Sequence, residues 1–252
     1  MSGRLYIVPT PVGNLDDMAP RAIATLSQVS VILCEDTRTS SVLLRHFGIE
    51  TPCRSFHKFN EHTEVEGIID AVEAGDDIAL VSDAGTPGIS DPGFMLSREC
   101  RRRGIEVITL PGPTAFVPAL VSSGLPCERF CFEGFLPPKK GRQSRLAAIA
   151  DETRTSVIYE SPLRLVKTLE QLAEVCGTDR PASVSREISK LHESTARGTL
   201  AELIDHFKQN PPRGEIVIVI GGKPEESRAG THRNKYRDSR PPEPTMPSEY
   251  NF

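Results

Sequence analysis

The sequence predicts an α/β fold made of two α/β domains. Short apolar runs rich in β-branched residues alternate with longer amphipathic stretches, which is the pattern of strand–helix–strand units around a parallel sheet. The alternation begins near the amino terminus and starts again in the second half of the chain. A chain of 252 residues suffices for one large domain or two ordinary ones. Because the alternation starts again in the second half, two domains are favoured.

The first domain is predicted to span residues 1–126. Its helices are indicated by apolar residues at helical spacing, and two of them end at Gly48 and Gly75, which suit a helix carboxyl terminus. The predicted elements in chain order are a strand at 5–8, a helix at 19–28, a strand at 31–34, helices at 40–47 and 61–74, a strand at 78–81, a helix at 93–103, a strand at 105–110 and a helix at 114–122.

The second domain is predicted to span residues 127–222, again with strands and helices in alternation. The predicted elements are a strand at 129–133, a helix at 143–150, a strand at 156–159, a helix at 163–176, a strand at 182–186, a helix at 199–207 and a strand at 215–220. Residues 223–252 are rich in proline and charge, and they account for a hydrophobic content of only 38%. Too few apolar side chains are present there to form a core, so this segment is predicted to be a disordered tail.

Composition excludes several classes of protein. A net charge of -4 argues against a uniformly basic coat for nucleic acid. The six cysteines form no Cys-x-x-Cys pair, so we expect buried free thiols and no metal site. The first residues contain too few consecutive apolar side chains for a signal peptide or a membrane span, which predicts a cytoplasmic protein without membrane association.

Glycine- and proline-rich loops follow three predicted strands, at 9–17, 82–93 and 111–114, and the charged segment Glu35-Asp-Thr-Arg follows a fourth. Ligands of open parallel sheets bind at the carboxyl ends of the strands, so these loops are expected to meet at one crevice. The 82–93 loop contains Asp83 and Asp91 but no Lys or Arg, which disfavours a triphosphate and suits a nucleoside with a cationic sulfonium. We expect Asp83 to contact the ligand, and Asp91, directly before Pro92, to cap the next helix.

These loops resemble a known family. The motifs Thr10-Pro-Val-Gly-Asn-Leu, Glu35-Asp-Thr-Arg, Val81-Ser-Asp-Ala-Gly-Thr-Pro-Gly-Ile-Ser-Asp-Pro-Gly, Leu110-Pro-Gly-Pro-Thr and Phe132-Glu-Gly-Phe-Leu-Pro occur in this order. Together they are similar to the tetrapyrrole methylase superfamily of S-adenosylmethionine enzymes, and within it to the 16S ribosomal RNA cytidine 2′-O-methyltransferases. Five ordered motifs are far more specific than one glycine loop.

The resemblance implies that S-adenosylmethionine binds in a cleft between the two domains, and that the protein is a homodimer. It also implies which residues contact the cofactor. These are Pro9, Thr10 and Val12, then Asp83, Ala84, Gly85, Thr86 and Ile89, then Gly112, Pro113, Thr114 and Ala115, and in the second domain Tyr159, Gly214, Glu215 and Ile216.

The implied activity is methylation of the 2′-hydroxyl of a cytidine ribose in 16S ribosomal RNA, free or in the small subunit. Tetrapyrrole enzymes of the superfamily have a glycine-rich first loop, whereas this chain has Pro9-Thr-Pro-Val-Gly, which argues against a corrin substrate. Two alternatives are a precorrin-type C-methyltransferase and a non-catalytic nucleotide- or RNA-binding module.

A ribose hydroxyl ionises far above neutral pH, so a carboxylate or a neutral lysine is expected to accept its proton. The candidates are Asp36, Glu160, Glu187 and Lys190, and Arg38 is a candidate for holding an RNA phosphate. The alternative for the first motif is an Asp36–Arg38 ion pair with a helix cap at 37. For the segments at 159–162 and 186–190 it is a strand-end turn and a surface ion pair.

A basic segment is the candidate RNA surface. Residues 129–167 contain eight Lys or Arg against four acids, including the loop at 137–142. The alternative is ordinary solvated loop charge.

Overall fold

A computed structural model describes residues 2–224, as two five-stranded sheets with flanking helices. The predicted tail therefore lies outside the described residues, apart from positions 223 and 224. The strands are β1 (Arg4–Ile7), β2 (Val31–Cys34), β3 (Cys53–Ser55), β4 (Ile78–Val81), β5 (Glu106–Thr109), β6 (Phe130–Phe135), β7 (Thr155–Glu160), β8 (Pro181–Arg186), β9 (Ser194–Thr199) and β10 (Ile216–Ile220). The helices are α1 (Pro20–Gln28), α2 (Thr37–His46), α3 (Glu61–Ala74), α4 (Phe94–Arg102), α5 (Phe116–Ser123), α6 (Arg142–Asp151), α7 (Leu165–Cys176) and α8 (Leu200–Gln209), with a short 3₁₀ turn at Leu15–Asp17.

The first sheet is entirely parallel, with strand order β3-β2-β4-β1-β5. Its inner strand β4 is buried along its whole length, as expected where helices cover both faces. Side chains of α3 and α4, including Ile68 and Leu96, cover one face, and side chains of α1 and α2, including Leu26 and Leu44, cover the other. This arrangement directs the loops that follow β1, β2 and β4 to one edge of the sheet.

The second sheet has strand order β6-β7-β10-β8-β9 and is mixed. Only β6 and β7 pair in parallel; β10 runs antiparallel to both β7 and β8, and β9 runs antiparallel to β8. The alternation of strands and helices predicts parallel pairing, and this is wrong for most of the second sheet. The α7 crossover does keep β7 and β8 in the same direction, but β10 inserts between them from the end of the chain.

Helix α5 packs on the second sheet, although the predicted boundary at 126 assigns it to the first domain. Its residues Ala119 and Leu120 form an apolar cluster with Val157 and Val217 of the second sheet and with Val12 from the loop after β1. The two halves of the molecule are therefore joined by a shared core beneath the loops.

The strands β3 and β9 are absent from the elements that the sequence predicts. Both are edge strands, and their sequences, Cys-Arg-Ser and Ser-Thr-Ala-Arg-Gly-Thr, lack the buried apolar run on which strand prediction depends. Most predicted bounds differ from the observed ones by one or two residues. The largest shift at a helix start is in α2, which begins at Thr37 instead of 40 because Asp36 caps it.

The expectation of buried thiols holds for Cys34 and Cys100 but is wrong for Cys127, which is exposed in the turn before β6. Within residues 2–224, no group of histidine, cysteine or acidic side chains is arranged to hold a metal ion. In the same part of the chain, no helix combines the length and apolarity that crossing a bilayer requires.

Candidate cofactor cleft and active site

A cavity of about 440 Å³ lies between the two sheets, at the carboxyl ends of the first-sheet strands. Twelve of the sixteen predicted cofactor residues line it: Val12, Asp83, Ala84, Gly85, Thr86, Ile89, Thr114, Ala115, Tyr159, Gly214, Glu215 and Ile216. The residues at its wall that the sequence-based prediction left out include Glu35, Asp91, Phe135 and Ile188. The loops singled out for their glycine and proline content thus converge, as expected from the sheet topology.

The remaining predicted cofactor residues fasten the loops to one another. Thr10 and Gly85 exchange two backbone hydrogen bonds of 2.9 Å, and the Thr10 hydroxyl donates to the carbonyl of Ser82 at 3.0 Å. Thr10 is fully buried, so its side chain stabilises the loops of the cleft wall without facing the cavity. Gly85 has φ +84°, a conformation in which glycine is favoured.

The loop after β5 is also attached to the two loops that Thr10 and Gly85 join. The Thr86 hydroxyl donates to the carbonyl of Pro113 at 3.1 Å. Gly112 lies against the Pro9 ring so closely that a Cβ there would be 2.6 Å from the ring. Pro9, Gly112 and Pro113 therefore position the loops that form the cavity wall.

Three carboxyl groups from the first domain face the cavity without a Lys or Arg among the lining residues. Burial raises the pKa of Asp91 to about 6, and the nearby charges of Glu35 and Asp83 add to the shift. Burial also raises the pKa of Glu35 and of Asp83, in the first case with help from the Asp83 charge. Tyr159, on the opposite wall, has its pKa raised to about 12, chiefly by burial. The cleft is thus negatively charged, and no lysine or arginine among the described residues of its wall balances that charge.

Asp91 does not cap α4, contrary to the prediction. The residue before the helix is Gly93, and the cap is supplied by the buried Glu61 of α3, whose Oε1 accepts from the backbone amides of Gly93 at 3.2 Å and Met95 at 3.3 Å. Because another acid satisfies the helix terminus, the Asp91 carboxyl is left to the cavity.

Asp36 and Arg38 form the ion pair that the sequence left open. Two guanidinium nitrogens of Arg38 donate to the Asp36 carboxylate at 3.0 and 2.7 Å, and the Arg38 backbone amide donates to it at 2.8 Å. These hydrogen bonds lower the Asp36 pKa to about 2, so it is a weak base. Arg38 itself is 89% exposed at its side chain. The Asp36 amide donates to Asp83 at 3.2 Å, which links this motif to the cleft.

Glu160 is a fully buried carboxylate whose oxygens are already hydrogen-bonded. Its Oε1 accepts from the Ser161 amide at 2.8 Å and from Arg164 at 2.8 Å, and its Oε2 accepts from the Thr168 hydroxyl at 2.7 Å. The buried guanidinium of Arg142 lies 3.9 Å away. This network suits a role in holding the start of α7 more than a role as a base.

Glu187 and Lys190 lie at the edge of the cleft and interact with Glu215. Glu187 Oε1 accepts from the Glu215 amide at 2.9 Å and from the Lys190 ammonium at 3.0 Å, and that ammonium also donates to the Glu215 carboxylate at 3.2 Å. These contacts lower the Glu187 pKa. For Lys190, desolvation lowers the pKa, but the two carboxylates outweigh it and the net shift is upward. Lys190 is therefore a cation here and is not arranged as a neutral base.

The basic segment at 129–167 is partly neutralised inside the fold. Four of its arginines lie within ion-pair distance of acids: Arg142 and Arg164 with Glu160, Arg145 with Glu133, and Arg154 with Glu152. Its lysines at 139, 140 and 167 are exposed.

Residues 4–204 match the family model described as Tetrapyrrole (Corrin/Porphyrin) Methylases. The chain belongs to this family. A Synechocystis protein named Ribosomal RNA small subunit methyltransferase I is 48% identical over 237 residues, covering 94% of this chain and 85% of the relative. Proteins of the same name from Thermotoga maritima and Escherichia coli O157:H7 are each 46% identical, covering 88% and 87% of this chain and 99% and 78% of their own.

Solved structures of tetrapyrrole methylases share the fold. Cobalt precorrin-4 methyltransferase has a TM-score of 0.63 at 19% identity, covering 86% of this chain and 94% of that chain. Uroporphyrin-III-C-methyltransferase from Thermus thermophilus has a TM-score of 0.62 at 20% identity, covering 87% and 94%. The two-sheet arrangement is thus the tetrapyrrole methylase fold.

This tetrapyrrole methylase family member is a methyltransferase, and its cofactor is S-adenosylmethionine. The cleft fits that cofactor. Its apolar side chains, such as Val12, Ile89 and Ile216, suit an adenine ring, and its uncompensated carboxylates suit a sulfonium and an ammonium.

Proposed function

We propose that the protein methylates the 2′-hydroxyl of a cytidine ribose in 16S ribosomal RNA. The observation that carries the proposal is the identity of 46–48%, over most of the chain, with proteins named Ribosomal RNA small subunit methyltransferase I. The tetrapyrrole enzymes among the solved structures are only 19–20% identical, so they support the fold and not a tetrapyrrole substrate.

Bound S-adenosylmethionine supplies an electrophilic methyl group on a sulfonium. In our proposal the cavity-lining residues of the predicted set bind the cofactor, while Pro9, Thr10, Gly112 and Pro113 hold the loops in place. The carboxylates of Asp83 and Glu35 line the cavity, where they would attract the positive groups of the cofactor and accept hydrogen bonds from its polar substituents. A preformed cleft of this kind contributes by positioning, which can lower a barrier by ~7–11 kcal/mol in favourable cases.

Asp91 is the best-matched group to accept the proton of the acceptor hydroxyl. It lines the cavity, and burial raises its pKa to about 6, close to neutral pH. By contrast, Asp36, Glu160 and Glu187 are each engaged by a cation and backbone amides. In this proposal Glu187 and Lys190 shape the edge of the cleft around Glu215 instead of moving a proton.

Arg38 is suited to hold a phosphate of the acceptor RNA. Its guanidinium is fixed by Asp36 through two nitrogens, and its side chain is otherwise open to solvent beside the cleft. A fixed, exposed guanidinium can accept an anionic ligand without a large ordering cost.

The proposal also includes a homodimer that acts in the cytoplasm. Helix α5 exposes the apolar side chains of Val117 and Val121, and Phe130 of the edge strand β6 is exposed as well. Exposed apolar side chains beside an edge strand are common features of a protein–protein interface. Sedimentation at several protein concentrations tests this component.

Methyl transfer to undermodified RNA tests the activity. Purified protein and methyl-labelled cofactor are incubated with 30S subunits or 16S RNA from cells that lack the protein. We expect one label per RNA, on a cytidine whose 3′ linkage becomes resistant to alkaline hydrolysis, since a blocked 2′-oxygen cannot attack the phosphate. Label on a base, or on an added tetrapyrrole in place of RNA, would contradict the proposal.

A further inference from the structure

A second groove, of about 550 Å³, lies between the end of β8, the strand β9 and the carboxyl end of α8. The groove and the cofactor cleft are lined by residues that are neighbours in the sequence. Arg213 lines the groove and the next residue, Gly214, lines the cleft; Arg186 lines the groove and is followed by Glu187 at the edge of the cleft. A ligand in the groove would therefore contact the same chain segments that form the edge of the cleft.

The charge of the groove is opposite to that of the cleft. Its wall has the guanidinium groups of Arg186 and Arg213, the hydroxyls of Ser194 and Thr195 and the ring of His206, and no carboxylate. The wall of the cleft has neither lysine nor arginine among its described residues. Its five acidic residues are Glu35, Asp83, Asp91, Glu160 and Glu215. Such a change of sign over a few residues suits a ligand with an anionic part and a separate part that approaches the cofactor.

In residues 2–224 neither arginine of the groove forms an ion pair with an acidic side chain, although the charge of Arg186 contributes to the lowered pKa of Glu187. The Arg186 Nε donates to the Ser194 hydroxyl at 2.9 Å and its Nη1 donates to the Arg213 carbonyl at 3.3 Å, which orients the group and leaves its Nη2 without a protein acceptor in the described part of the chain. The Arg213 guanidinium makes no hydrogen bond within that part. This contrasts with the four arginines of the 129–167 segment that neighbouring acids engage.

The end of α8 does not explain these cations. Lysine and arginine often lie near a helix carboxyl terminus because they satisfy its free carbonyls. Here the backbone and side-chain amides of Asn210 both donate to the carbonyl of His206, at 2.9 and 3.0 Å. Within residues 2–224 neither guanidinium donates to a carbonyl of α8, so the arginines remain available for an external anion.

We propose that this groove binds phosphates of the RNA strand next to the acceptor nucleotide. The inference rests on the proposed function and names the surface that presents the RNA to the cleft. Guanidinium groups bind phosphate oxygens through paired hydrogen bonds, and hydroxyls and amides commonly add further contacts to the backbone. The proposal locates RNA binding at Arg186 and Arg213, which lie outside the basic segment at 129–167, where acids engage the arginines at 142, 145, 154 and 164.

RNA affinity and its salt dependence test the proposal. The full chain is titrated with fluorescent 16S RNA that lacks the modification, at several salt concentrations, for the wild type and for Arg213→Gln and Arg186→Gln. Arg154→Gln is the matched control, because that arginine belongs to the same domain but is paired with Glu152. Calorimetric titration with S-adenosylmethionine, run on every variant, reports whether the fold and the cleft are intact.

Each groove variant should bind RNA about 5–10-fold more weakly, and the slope of log affinity against log salt should decrease by ~0.7 for each lost contact to single-stranded RNA. The control should bind RNA as the wild type does, and cofactor affinity should be the same in all proteins. Unchanged RNA affinity and slope in Arg213→Gln, with cofactor binding intact, would overturn the proposal.

Two further outcomes separate this inference from the proposed function. If the wild type transfers no methyl group to a ribose but the groove variants still lose RNA affinity, the proposed function fails and the groove assignment stands. If inorganic phosphate binds in an Arg213-dependent way while RNA affinity does not depend on Arg213, the groove is a site for a small anion, which overturns the RNA assignment.

Discussion

The carboxylate of Glu187 lies where a side chain on residue 214 would have to be. A Cβ on Gly214 would overlap the Oε1 of Glu187, and Gly214 has φ +83°, where glycine is favoured. The close approach lets Glu187 accept the backbone amide of Glu215 at 2.9 Å. One glycine thereby fixes both the edge of the cleft and the position of the neighbouring carboxylate.

Gly214→Ala should therefore weaken cofactor binding as well as the fold. The strained φ alone costs about 1 kcal/mol, and displacement of Glu187 adds to it. We expect the free energy of unfolding in urea to fall by about 2 kcal/mol and S-adenosylmethionine affinity to fall at least tenfold. Gly124→Ala is the matched control, since Gly124 has φ +76° with no atom near its Cβ position. Equal effects of the two substitutions on cofactor affinity would refute the role of this contact.

Asp83→Asn should reduce cofactor affinity and leave the fold intact. The substitution preserves the shape of a side chain that lines the cleft and accepts the Asp36 amide, but it removes the charge that faces a sulfonium. About a tenfold rise in Kd is expected by calorimetry, which corresponds to ~1.4 kcal/mol. Asp70→Asn, on the exposed side of α3, serves as the control. An Asp83 variant with wild-type affinity would exclude this residue from the site.

The raised pKa of Asp91 predicts a specific pH dependence of stability. The ordinary pKa of 3.8 rises to about 6 in the folded protein, so the folded state binds more protons than the unfolded state between these values. The free energy of unfolding should therefore fall as pH rises from about 4 to 6, by about 1–2 kcal/mol once partial exposure is taken into account. Urea denaturation at each pH measures it. Asp91→Asn should make the decrease smaller, and the raised pKa values of Glu35 and Asp83 account for the decrease that remains.

Cofactor affinity should change in the opposite direction, rising with pH through about 6 as Asp91 becomes a carboxylate. Glu99→Gln is the control for both measurements, because hydrogen bonds from Arg102 lower the Glu99 pKa to about 2, below this window. If Asp91→Asn retains the wild-type profile, another group must cause it.

Glu160→Gln should destabilise the second domain strongly. The buried carboxylate binds Arg164 and Thr168, and without its charge the buried Arg142 has no acidic partner among residues 2–224. Removing one partner of a buried ion pair typically costs ~3–5 kcal/mol. We expect a loss of about 3 kcal/mol in urea denaturation. Glu152→Gln breaks an exposed pair with Arg154 and should change stability little. A small effect at position 160 would show that the network is dispensable.

The sequence predicts the location of the cleft because sheet topology and loop composition agree. Parallel strands bring their carboxyl ends to one edge, and the glycine- and proline-rich loops follow those strands. The first sheet, apart from its edge strand β3, is therefore predicted with small errors in the element bounds. In the second domain, the family resemblance and not the loop composition predicts the cleft residues Tyr159 and Gly214.

What the sequence did not predict depends on distant contacts. Asp91 precedes a proline and matches a local cap pattern, but Glu61, thirty residues earlier, supplies that cap. The antiparallel β10 is a long-range pairing that no local periodicity encodes. Whether Lys190 is charged depends on two carboxylates, one of them 25 residues away. These features follow from tertiary packing, which can override local propensity.

The segment that joins the two halves of the molecule is itself a wall of the cofactor cavity. Thr114 and Ala115 line the cavity, and the next residue begins α5, which packs on the second sheet. Across the cleft, the Ser189 hydroxyl contacts the carboxylate of Asp17, and the Lys190 side chain crosses Gly13. Any rotation of one half against the other must therefore change the shape of the cavity. The residues that connect the two halves and the residues that enclose the cofactor are therefore partly the same, and we expect an engineered cross-link between positions 17 and 189 to slow the release of product.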